Sequence, residues 1–190
     1  MKKITFTLSV VMLACLVSLS ACSGGGGASL LVSSAGTPDS PISHPALVLP
    51  PMPDRSVNNS TLAGVSTTGT GVRDDVYRYI FSTYTSTHKR AALMQNARSL
   101  RNIYLKPPST TPQALVLAKE IHEAMHCLWW QRDSGHFTRK EALHADRRLE
   151  AMHSDTKARM LAYDKYNALL DGTGSPLPSS YRGFCLEGPN

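Results

Sequence analysis

TPQALVLAKEIHEAMHCLWWQRDSG, Thr111–Gly135, is the stretch on which the fold turns. Ala114, Leu117, Ile121, Met125 and Leu128 recur at steps of three and four, which is the period of an amphipathic helix. Pro112 suits a first turn, where its missing N–H costs no intrahelical bond. The helix is expected to stop between Arg132 and Gly135.

Outward from this segment the same period continues. Upstream, Arg73–Tyr84 carries Val76, Ile80 and Tyr84 at a spacing of four, with Asp74 and Asp75 placed for a first turn. Thr83–Thr87 interrupts it. His88–Leu105 resumes with Leu93, Ala97, Leu100 and Tyr104, and Pro107–Pro108 end it. Downstream, Thr138-Arg139-Lys140-Glu141 matches a capping box. A helix is expected from there to about Asp171, bent near Ser154–Asp155 and closed by Gly172. Ala142, Ala145, Leu149 and Met152 line one face, and Met160, Tyr163 and Leu170 continue it. No stretch reads as a strand. The prediction is an all-α domain over residues 72–172, a small bundle of three to four helices.

The flanks read differently. Residues 22–71 are rich in Gly, Ser, Thr and Pro, and their few apolar residues have no period. They are expected to form a disordered linker, with Pro50–Pro53 extended and little of it packed. Residues 173–190 form a tail rich in Pro, Gly and Ser, with Tyr181, Phe184 and Cys185 as its anchors.

Residues 1–21 read as an export signal. Lys2 and Lys3 precede an apolar run from Ile4 to Val17, too short for a comfortable membrane span. Leu19-Ser20-Ala21-Cys22 resembles the lipobox of bacterial lipoproteins. The resemblance implies cleavage before Cys22 and acylation of its thiol, palmitate included. One acyl chain holds only marginally, at about 0.8 kcal/mol per buried methylene, but lipoproteins of this family carry more than one. Ser23 rather than Asp after the cysteine implies outer-membrane sorting. Gly24–Gly27 then resemble the leash of some surface-exposed lipoproteins.

Export fits the cysteines. Cys15 leaves with the signal and Cys22 is taken by lipid, so Cys127 and Cys185 remain as one pair for an oxidising compartment. A disulfide between them would stabilise the fold by on the order of 4 kcal/mol. The formal net charge of +6 includes Lys2 and Lys3, so the mature chain is only mildly basic. Nucleic acid is excluded as an expected partner, whereas lipid headgroups, polysaccharide or an acidic protein fit such a surface.

HEAMH, His122–His126, is the one motif with a chemical reading. Two histidines four apart project from one face of a helix and suit a shared tetrahedral zinc. Glu123 stands where a general base would take a proton from metal-bound water. The motif resembles gluzincin-type zinc peptidases, whose third ligand comes from a helix beginning some way downstream. That resemblance implies His122 and His126 as ligands with one of His144, Asp146 or Glu150, and Glu123 as the base. Asp146 stands near the distance where that family carries Glu. On a helical wheel the histidines sit at the boundary of the apolar stripe, which suits a cleft or an ordinary half-buried helix edge equally.

Three functions follow. The leading one is an outer-membrane lipoprotein whose helical domain binds or positions another cell-envelope protein, requiring no cofactor. Its layout is similar to that of the pilotins, which escort secretin subunits. The second is a tethered zinc metallopeptidase or amidase. The third is a surface-exposed lipoprotein that binds a host or neighbouring-cell ligand. No Ser-His-Asp set, phosphate-cradling glycine loop or GxSxG is present.

Overall fold

A computed structural model describes residues 48–186. The export signal, Cys22, the glycine leash and the rest of residues 1–47 lie outside the described residues, as do residues 187–190. The described chain is all-α, with helices α1 (Arg55–Asn58), α2 (Asp74–Thr83), α3 (Thr87–Leu105), α4 (Thr111–Asp133), α5 (Arg139–His153) and α6 (Lys157–Leu169).

α3 is the central element, packed by α2, α4, α5 and α6. It buries residues on nearly every side, from Ala92–Ala97 through Ser99–Arg101 to Ile103 and Tyr104. Alanines at the crossings, Ala92, Ala97, Ala124, Ala142 and Ala145, are fully buried and let the helices approach closely. Val76, Ile80, Leu93, Leu100, Leu128 and Leu149 fill the core between α2, α3, α4 and α5. Ile103, Tyr104, Leu117 and Tyr166 form a second core.

The ends of the helices follow local chemistry. Ser86 accepts from the Lys89 N–H to cap α3, and Pro112 opens α4. The capping box of α5 is complete: the Glu141 N–H donates to Thr138 Oγ1, and the Thr138 N–H donates to Glu141 Oε2 at 2.8 Å. The helix expected to run on to Asp171 is two helices. Ser154 ends α5, and Thr156 caps α6 by accepting from the Arg159 N–H. Asp155, at the break, is drawn sideways into ion pairs with Arg73 and Arg159. The buried face of α4 is also turned relative to the expected stripe: Ala124, Cys127 and Gln131 are buried, while Met125 is only half-buried.

The expected linker is corrected in its last third. Residues 54–71 are built onto the bundle. Asp54 caps α1 by accepting from the Ser56 and Val57 N–H groups, and Asn58 is buried. The fully buried Arg159 donates to the carbonyls of Asn58, Thr61 and Leu62, to Asn59 Oδ1 and to Asp155 Oδ1. Arg73, 1% exposed, donates to Asp75 and Asp155. Arg101 holds the carbonyls of Ala63 and Gly71. Most of these contacts are made by backbone carbonyls, which leave no apolar period in the sequence.

Gly64 lies inside this clasp at φ +65°, and a Cβ there would stand 2.8 Å from Asn58 Oδ1 and 2.9 Å from the Arg73 stem. Only glycine meets both demands at once.

Candidate functional site

The HEAMH segment lies in the second half of α4, and the C-terminal tail covers it. Cys127 and Cys185 form the expected disulfide. Gln95 clamps the tail twice, donating to the Phe184 carbonyl and accepting from the Leu186 N–H. Gln131 Nε2 donates to Cys185 Sγ. These ties set Phe184 and Tyr181 against the His126 ring, at 4.7 and 5.4 Å between centroids. His126 is therefore 9% exposed, and its Nδ1 has no partner among the described residues. Burial, then the neighbouring His122, lowers its pKa.

The other expected ligands face elsewhere. His122 lines a small cleft with Leu115, Leu170 and Thr173. Glu123 lies 3.9 Å from Lys119 on its own helix. Asp146 turns to α3 and accepts from Asn96 Nδ2 at 2.9 Å. Burial raises the pKa of its carboxyl against the pull of that bond. Glu150 accepts from the Tyr163 hydroxyl on α6, and His144 is exposed on the surface. Among the described residues no three His, Cys, Asp or Glu side chains come together in a group able to hold a metal. A tetrahedral zinc needs convergent donors, and these residues do not fit one.

A different place in the fold has the shape of a binding site. α2 and α3, with the loop through Gly69 and Thr70, enclose an open groove of about 750 Å³. Val76 and Ile80 face the core, and Tyr77 and Phe81, half-buried on the adjoining face of α2, pack at its edge. Those two rings stack at 4.3 Å and form one wall. Ala91 and Met94 of α3 supply the floor, and Arg90 and Arg98 the charge. The Arg90 guanidinium lies 4.8 Å from the Phe81 ring centre and donates to the carbonyls of Phe81 and Tyr84. It thereby closes the end of α2, whose last carbonyls have no helical partner.

Past the same end of α3, His88 and His136 stack at 3.7 Å. Lys89 pairs with Glu141 at 3.1 Å and lies over the Phe137 ring.

Sequence reasoning missed the groove. Its signal is the pair Tyr77 and Phe81, two aromatics four apart and off the Val76–Ile80 stripe. Such a pair needs a surface of its own to cover. No protein-family model, curated protein or solved structure matches the chain.

Proposed function

We propose that this chain is an outer-membrane-anchored lipoprotein whose helical domain binds or positions another cell-envelope protein, and that the α2–α3 groove is the binding face. The groove carries the reading. It is walled by two stacked, half-buried aromatic rings and two arginines over the buried Met94, and aromatic, Met and Arg side chains are those enriched where proteins bind each other. The anchor rests on residues 1–22, and the Cys127–Cys185 disulfide suits the oxidising compartment that such an anchor implies.

The test is site-specific photocrosslinking in living cells, with the probe at Thr87 on the groove rim or at Lys165 on the exposed side of α6. The expected outcome is a discrete protein adduct from Thr87 and none from Lys165. Absence of any adduct from either position ends the reading. In parallel, Cys22→Ala is expected to move the protein from the membrane to the soluble fraction. Unchanged membrane association would remove the anchor.

A further inference from the structure

We infer that the α2–α3 groove takes a peptide segment in which a large apolar side chain stands next to a carboxylate. This rests on the reading of the domain as a protein-binding module and names the chemistry of its partner.

The apolar half of the requirement comes from the walls. Tyr77 and Phe81, stacked on each other, offer their ring edges and the outer face of Tyr77, and Met94 lies buried beneath them as an adaptable apolar floor. The acidic half comes from the charge. Arg90 and Arg98 line the groove, and among the described residues no Asp or Glu does. Arg90 has no ion pair among the described residues, yet its guanidinium is already fixed by two backbone carbonyls and by the Phe81 ring. A carboxylate arriving there meets a pre-oriented fork, and little side-chain freedom remains to be lost. Thr70 and Thr87 hydroxyls at the rim suit the peptide backbone flanking such a pair. The open mouth fits a segment laid along the groove better than an enclosed acyl chain.

The experiment selects a random peptide display library on the mature, disulfide-bonded chain purified in mild detergent. Enriched clones are then resynthesised and measured by fluorescence anisotropy. The expected peptides carry Asp or Glu within two positions of Phe, Trp or Leu. Replacing the acid by its amide is expected to weaken binding at least tenfold. Ala91→Glu, which puts a like charge on the groove floor, is expected to abolish binding, and Lys165→Glu to leave it unchanged. Circular dichroism and urea titration confirm that each variant is folded; if Ala91→Glu is not, Thr70→Glu at the rim serves instead.

The inference is overturned by no enrichment, by enriched peptides without an acid, or by binding that survives the folded groove variant. Occupancy by short-chain phosphatidylglycerol in place of peptide also overturns it. A cellular adduct from another face, with no peptide selected, removes the groove and leaves the envelope-partner reading standing. Absence of any adduct removes that reading itself.

Discussion

At the scale of the residue, two buried basic groups decide most. Arg159 is fully buried and its guanidinium reaches five acceptors, four of them in residues 58–62. Arg159→Met leaves those acceptors in residues 58–62 without this donor and the Asp155 carboxylate with Arg73 alone, and is expected to destabilise the fold by about 3–5 kcal/mol in urea unfolding. Arg159→Lys restores the charge but not the planar fork, so it should recover only a minor part. His153 is the second. It is 1% exposed, its Nδ1 lies 2.8 Å from the Leu149 carbonyl, and its Nε2 has no partner among the described residues. Burial brings its pKa from 6.5 down to about 4.

The sign of the His153 effect is fixed by linkage. The unfolded chain binds the proton first, so this contribution is fully present above pH 6.5 and lost as pH falls towards about 4. The loss is on the order of 3 kcal/mol across that window. His153→Gln is expected to flatten the urea midpoint between pH 4 and 6.5, and an unchanged slope would show that His153 does not govern it. Neither residue was legible in the sequence. A buried arginine and an exposed one are spelled alike, and only the fold shows which carbonyls they meet.

At the scale of the element, the sequence is a better guide. Helices α2, α3 and α4 begin and end within a residue or two of the positions read from period, proline and capping residues. The capping box of α5 is where its pattern predicts. The one split element, α5 and α6, divides at Asp155, whose carboxylate is shared by Arg73, distant in sequence, and Arg159, four residues on. The break falls at the bend expected near Ser154–Asp155, but the ion pair with Arg73 leaves no mark in a local window. The pairing of Cys127 with Cys185 followed from counting, but its consequence for HEAMH did not. The tail that it holds is what buries His126.

Removing the disulfide by Cys127→Ala with Cys185→Ala is expected to cost about 3–4 kcal/mol. Hydrogen exchange should show residues 181–186 losing protection while α3 keeps its own. Equal loss in α3 would mean that the tail is part of the core rather than a cover over it.

At the scale of the whole molecule, the boundary between leash and domain is the main correction. Residues 54–71 contribute acceptors to Arg101 and Arg159 through their loop and turns, so the folded unit begins before residue 72. A chain truncated to residue 72 is expected to be largely unfolded, while one beginning at residue 48 should melt cooperatively. Calorimetry of the two separates the cases, and a cooperative transition in the shorter chain would return those residues to the linker. Metal response belongs at this scale too. The scattered placement of His122, His126, His144, Asp146 and Glu150 predicts no zinc-dependent rise in melting temperature beyond what His122→Ala also shows. A rise of several degrees lost in that variant would overturn it. The all-α class was legible because period alone carries it. The groove was not, because it needs two helices and a loop from outside the apolar pattern to meet.

The arginine clasp also has a mechanical meaning. Were the domain held by its N-terminal end, with a partner seated between α2 and α3 as proposed, tension would run along residues 54–74 and into α2. Arg159 grips this stretch through several bonds at once, and Thr67 is tied to Asp74 by two more, each 2.8 Å. Bonds loaded side by side share a pull that would break them one after another in series. Under that pull the disulfide lies off the line of force. Its state of oxidation would alter how the tail is held without altering how hard the domain can be tugged.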